Sequence, residues 1–306
     1  MGMRVIKTAL AAIIAIYLAK FLGLEFYLAA GLLAILGVDT TRISGLKNSF
    51  ERIFASILGL LFAAFLFYLF DFHIWVLALF IFIAFPVIAK VNLGSGIVTS
   101  CVVVFHIFSM ESISLAAIMN EIGLLLIGLG CATIINFVYM PNEDANLLKT
   151  RFKVEDLFAA IFHNISNQLK DDSYLWDGHE LLEVQEVMEE GVSLAKKSSE
   201  NALFHPKTEW QIYFHMRNQQ LDSIERMMDI VAQVYQTLPH GVITAELFDE
   251  LADEVKNEFY TGQVEAQLLN LELLFKQMPL PVSRGEFEIR SAILQLSLEL
   301  KHYLSY

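Results

Sequence analysis

The chain has 306 residues, 56% of them apolar, a formal net charge of −13 and a mean hydropathy of +0.52, well above the soluble globular norm. This composition points to a membrane-embedded protein with membrane lipid as a partner, and the acidic excess excludes nucleic-acid binding, which needs a basic surface. The two cysteines, Cys101 and Cys131, both lie inside apolar runs, which excludes a disulfide framework and a cysteine metal site.

Charge is divided unevenly along the chain: 7 Lys+Arg meet 6 Asp+Glu up to Met140, whereas 14 meet 28 from Pro141 onward. Two parts are expected, a transmembrane domain over 1–140 and an acidic cytoplasmic helical domain over 141–306, with Pro141 stopping the last apolar helix. The fold class is all-α: a six-span bundle followed by a helical bundle.

A bilayer core about 30 Å thick needs about 20 helical residues. Six runs qualify: Val5 to Leu22, Leu24 to Val38, Ile53 to Phe70, Ile74 to Ala89, Leu93 to Phe108 and Leu115 to Tyr139. The first has a basic start and an apolar centre like a signal peptide, but the runs behind it make it a retained span. The second is short enough to be re-entrant instead. Cations near span ends favour the cytoplasmic side. With six crossings and both termini inside, Arg4, Lys7, Arg42, Lys47, Arg52, Lys90, Lys149, Arg151 and Lys153 all fall there, leaving Lys20 outside. A non-crossing second segment would turn the Arg42 to Arg52 loop outward.

In the third span Ser49, Arg52, Ser56, Gly59 and Ala63 share one helix face, and Ala55, Gly59 and Ala63 form a ladder of small residues that admits a close neighbour. Arg52 heads this face. It either snorkels to phosphates or turns inward and offers donors to a carboxylate. In the fifth span Asn92, Ser95, Thr99 and His106 occupy one helical arc about 60° wide. Such polar groups bond to other helices or line a pathway, and His106 is a candidate proton carrier. In the sixth span Gly128, Ala132 and Asn136 recur every four residues as a packing face, with Asn136 as a polar clamp; Glu121 is expected near the outer end, hydrated.

Beyond Pro141 the apolar spacing is helical throughout. Helices are expected near Ala145 to Lys170, His179 to Leu203, Thr208 to Leu238, Thr244 to Met278 with a break at Thr261-Gly262, and Glu286 to Ser305. "DGHE" and "SRGE" carry capping-box chemistry, while "LPHG" and "MPLPVSRG" mark turns. The carboxylate run Asp249 to Glu258 reads as a solvated face rather than a cation site, and His205 and His215 lack a zinc motif. No phosphate-cradling G-x-x-x-x-G-K-[ST] occurs, and no nucleophile, base and acid cluster can be read. The chain is therefore not expected to be an enzyme, and no cofactor or metal is expected.

The stretch "FYLAAGLLAILGVDTTRISGLKNSFERIFASILGLLFAAFLF" resembles the aromatic acid exporter family, related to fusaric acid resistance proteins, through Arg42, Gly45, Arg52 and Gly59. The layout of six spans and a helical C-terminal domain is similar to the small bacterial branch over nearly the full chain. The second span begins "EFY" where many relatives carry a tryptophan. The resemblance implies efflux of aromatic carboxylates or similar organic anions across the bacterial cell membrane, and a homo-oligomer, because larger relatives have two membrane halves. On that reading Arg52 and Arg42 attract a small organic anion, with Ser56, Asn92, Ser95, Thr99, His106 and Asn136 along its route. The alternative is a membrane-anchored docking or regulatory protein whose acidic domain binds a partner.

Overall fold

The computed structural model describes residues 2–202, 207–257 and 261–306, with side chains from Arg4 onward. Twelve α-helices and one 3-10 turn are present, with no strand among the described residues. The chain is all-α. It divides into two compact units, Met1–Pro141 with Glu200–Pro206, and Asn142–Ser199 with Lys207–Tyr306.

The first unit contains α1 (Gly2–Phe21), α2 (Leu28–Gly37), α3 (Arg42–Phe70), α4 (Ile74–Lys90), α5 (Ile97–Met110) and α6 (Leu115–Val138). Helices α1, α2 and α6 pack together, while α4 and α5 pack on α3, which also meets α6. Small residues set these distances. Ala11, Ala15 and Ala19 of α1 are fully buried, and a methyl group on Gly128 of α6 would run into Leu33 and the Ala30 carbonyl of α2. Ala132 lies against Gly37 in the same seam. Outside this core the unit is apolar: Phe21, Tyr68, Ile74, Phe82 and Val138 are each more than 70% exposed, a surface that suits lipid rather than water.

Three expectations are corrected here. The third apolar segment is helical from Arg42, not Ile53, because Thr41 caps it by accepting the Ser44 N–H at 3.3 Å. Arg42 and Lys47 therefore belong to the first turns of a 29-residue helix and not to a loop, and Arg52 lies on that helix as its face spacing predicts. The second segment is helical over only 10 residues, about 15 Å, or half a bilayer core. It follows a turn in which Gly23 and Phe26 take positive φ. The fifth helix starts at Ile97: Asn92 sits at φ 60 and Gly94–Gly96 form a 3-10 turn, so the four-residue polar arc does not form. Among the described helices, α3 and α6 are long and apolar enough to cross a membrane, while α2, α4 and α5 are shorter.

The second unit contains α7 (Asp144–Lys170), α8 (His179–Asn201), α9 (Glu209–Val231), α10 (Pro239–Glu254), α11 (Gln263–Gln277) and α12 (Arg284–Leu304). Phe158, Phe162, Phe214 and Phe248 are fully buried at its centre. Phe214 presses on Gly191 of α8, where a methyl group would enter its ring. Helix α12 begins as "SRGE" predicts: Ser283 accepts the Glu286 N–H at 3.1 Å, although Glu286 reaches back to the Val282 N–H rather than to Ser283. At "DGHE" Asp177 accepts the His179 N–H at 3.0 Å, a local turn leading into α8. "LPHG" is not a turn: Pro239 opens α10, where its missing N–H costs nothing. Helix α9 stops at Val231, short of the expected Leu238, and the helical stretch expected from Thr244 divides at the expected Thr261-Gly262 break, with α10 ending at Glu254 and Gly262 at φ 74 before α11. Leu203, His205 and Glu258, named in the sequence reading, lie outside the described residues.

Candidate functional site

Three polar clusters interrupt the apolar first unit. The first lies at the turn between α2 and α3. Asn136 of α6 donates to the Gly37 carbonyl at 3.2 Å and accepts the Asp39 N–H at 3.4 Å, clamping the end of α2. Burial works to raise the Asp39 carboxyl, but the Thr40 N–H and the Asn48, Ser44 and Thr40 side chains hold it below its ordinary range. Lys7, 5% exposed, reaches the Asp39 carbonyl at 3.4 Å. Arg42 bonds Asn201, which groups with this unit, through its backbone N–H and its Nη1, both at 3.1 Å, and its Nε is buried without a partner.

The second cluster follows the seam between α3 and α5. Arg52 is half-buried, and its Nε has no hydrogen-bond partner. One turn on, Ser56 is fully buried with its hydroxyl unpaired, and the Ser100 hydroxyl of α5 is in the same condition. Gly59 and Gly96 bring the helices together: a methyl group on Gly96 would meet Ala55 and the Glu51 carbonyl, and one on Gly59 would meet Ser100. Ala63 continues the buried stripe. Ser95 donates to Glu51 at 2.5 Å, Thr99 is buried and donates to the Gly96 carbonyl at 2.8 Å, and Thr133 of α6 donates to Ser49 at 3.1 Å. Asn92 is exposed on the turn before this seam.

The third cluster joins α5 and α6. His106 Nδ1 lies 2.9 Å from Glu121 Oε2, with Glu121 fully buried. The expected hydrated Glu121 is thus corrected: it turns inward because His106 supplies a partner within the bundle. Phe26, at φ 54, stacks its ring on His106 at 4.5 Å between centroids and 2° between planes. Asn120 donates to Glu121 at 3.2 Å and accepts the Glu25 N–H at 2.8 Å, which ties this pair to the α1–α2 turn. A cavity of about 240 Å³ lined by Phe26 to Ala29 and His106 opens beside the pair.

Arg52, Arg42, Ser56, Asn92, Ser95, Thr99, His106 and Asn136 are legible in the sequence pattern, whereas Ser100, Glu51, Phe26 and the inward turn of Glu121 are not. Of the named residues, Arg52 and Ser56 share the α3 face. Thr99 and His106 lie two turns apart on α5, and Arg42 and Asn136 flank the α2–α3 turn rather than this seam.

A lipid-compatible surface around buried ionisable groups defines an all-helical membrane protein, the class in which charges at depth mark transport pathways. The chain belongs to the aromatic acid exporter family. Its residues 1–140 match the family described as "Aromatic acid exporter family member 1" and residues 144–306 the "Putative aromatic acid exporter C-terminal domain". It is 32% identical over 303 residues, 99% of this chain and 94% of the relative, to "Uncharacterized protein YqjA" of Bacillus subtilis (strain 168). It also resembles, at 21% identity and a TM-score of 0.45, the "Crystal structure of putative membrane protein from Clostridium difficile 630", over 52% of this chain and 95% of that one.

Proposed function

We propose that the protein is a secondary exporter of aromatic carboxylates or similar small organic anions, working as a homo-oligomer. In this reading all six apolar segments of 1–140 belong to the membrane domain, both termini are cytoplasmic, and 141–306 is a cytoplasmic helical domain. The observation that carries the reading is the row of unpaired buried polar atoms on the α3–α5 seam: Arg52 Nε, Ser56 Oγ and Ser100 Oγ. Unpaired buried polar atoms cost free energy, and a carboxylate would satisfy a guanidinium and two hydroxyls together. Ser95 and Thr99 lie on this seam and Asn92 on the turn before it, while Arg42 and Asn136 stand apart at the α2–α3 turn.

The seam is closed against Gly59 and Gly96, so a solute passes only when α3 and α5 part. His106 and Glu121 supply the drive. With the imidazole neutral and the carboxylate ionised the pair carries one negative charge in an apolar bundle; a single added proton neutralises it, and the difference in burial cost biases the helix arrangement.

Everted membrane vesicles test the reading. Uptake of 4-hydroxybenzoate driven by an imposed proton gradient is expected to fall to background in Arg52→Ala and in Glu121→Gln, and to survive in part in Arg52→Lys. Uptake unchanged in Arg52→Ala, or unchanged when the gradient is collapsed, overturns it.

A further inference from the structure

The second unit gathers two arginines into its interior although its composition is strongly acidic. Arg151 of α7 and Arg217 of α9 converge on Glu155, which is 2% exposed, at 2.8 and 3.3 Å. Tyr213 donates to the same carboxylate oxygen at 3.1 Å and accepts from Arg217 Nε at 3.2 Å. Both guanidiniums lie over the Tyr213 ring. These groups border a half-open cavity of about 390 Å³ between α7, α9, α10 and α12, lined also by Leu251, Met216 and Tyr303. A volume of this order holds a one-ring molecule.

The hydrogen bonds around the cavity are unequally filled. Arg217 donates four hydrogen bonds, to Tyr213, Gln220, Glu155 and the Val255 carbonyl. Among the described residues Arg151 bonds through Nε alone, and its side chain borders the cavity. On the other side Glu254, 9% exposed, gives Oε1 to Thr261 while its Oε2 is buried with no partner among the described residues. A buried carboxylate oxygen without a donor is costly. Burial pushes the Tyr213 hydroxyl up to about 12, against the pull of Arg217, and raises that of Tyr303 for the same first reason. Both rings therefore stay neutral and present faces and hydroxyls instead of charge.

We infer that this cavity is a binding site for a small aromatic carboxylate carrying a hydroxyl or amino donor. The ligand carboxylate lies on the outer edge of Arg151, its ring packs among Tyr213, Tyr303, Leu251 and Met216, and its donor satisfies Glu254 Oε2. The site belongs to the second unit and is separate from the α3–α5 seam, so it stands whether or not the seam carries solute.

The test is calorimetric titration of the full chain in lipid nanodiscs with 4-hydroxybenzoate, benzoate and 4-hydroxybenzyl alcohol. The hydroxy acid is expected to bind about tenfold more tightly than benzoate, the worth of one hydrogen bond to a charged group. The alcohol, lacking the carboxylate, is expected to bind weakest. In Glu254→Leu the preference of the hydroxy acid over benzoate disappears. In the Arg52→Ala background, where the seam has lost its guanidinium, the cavity is titrated alone: the preference for the hydroxy acid persists, Arg151→Gln weakens both acids about tenfold, and Met216→Trp, which fills the cavity from its rim, abolishes binding. Equal affinity of the two acids in Arg52→Ala, binding in that background that survives both Arg151→Gln and Met216→Trp, or no binding at all in Arg52→Ala overturns the assignment.

Discussion

Gly59 on α3 lies so close to Ser100 on α5 that the serine hydroxyl occupies the space a methyl group on Gly59 would take. The relationship sets the spacing of the α3–α5 seam and leaves both Ser100 and Ser56 with unpaired hydroxyls. Overpacking a close seam costs about 1–3 kcal/mol. Gly59→Ala is expected to lower the thermal unfolding midpoint of the purified protein, and Gly59→Ala with Ser100→Gly to recover most of the loss. If the double variant is no more stable than the single one, the seam is not limited by this contact.

Asn136 provides a second measurable link. Its amide holds the Gly37 carbonyl and the Asp39 N–H, two backbone groups that α2 leaves over at its end. Asn136→Leu keeps the side-chain size but leaves both without their side-chain partner, a loss of about 1–3 kcal/mol. Proteolysis between α2 and α3 should accelerate in this variant. An unchanged cleavage rate would mean that the turn is held by Asp39, Asn48 and Thr40 alone.

What the sequence disclosed depended on how local the determinant was. Hydropathy and 3.6-residue spacing report on a helix and its own faces, so the all-helical class was legible throughout. The α3 start was legible too, through a threonine three residues before Ser44, but Arg42 and Lys47 were read as a loop. In "NLGSG" the two glycines that end the helical pattern were present, yet the polar spacing was carried across them. The His106–Glu121 bond joins residues on two helices, with a turn between them. No spacing rule relates them, and a lone carboxylate near the start of a span reads as hydrated until its partner is known. Pro239 shows the converse, since the same residue that breaks a helix also opens one.

Glu155 is the charge on which the second unit's interior depends. It is buried and pairs with both Arg151 and Arg217 through one oxygen. Removing one partner of a buried ion pair leaves uncompensated charge and costs roughly 3–5 kcal/mol. Glu155→Gln is therefore expected to destabilise the second unit severely, seen as faster amide exchange in α7 and α9, while α3 and α6 keep their protection. Glu155→Gln with Arg217→Met should be less damaging than Glu155→Gln alone, because the stranded cation is removed with its partner.

His240 gives the second unit a pH dependence of defined sign. It sits in the first turns of α10, 6% exposed, with its ring 5.1 Å from Phe275 and Nδ1 buried without a partner. Burial, and then the Arg290 guanidinium, depress its protonation below the ordinary value near 6.5, only partly offset by Glu286. The unfolded chain therefore binds a proton at higher pH than the folded one does. Between those two values the unfolded state holds more protons, so stability rises with pH through that window and is lost as pH falls below about 6.5. Amide exchange in α10 and α11, corrected for the intrinsic pH effect, is expected to quicken as pH drops through this range in the wild type. His240→Phe, which keeps an aromatic ring beside Phe275 without a titrating nitrogen, should flatten that response. The same acceleration in the variant would assign the pH dependence to the carboxylates of the unit instead.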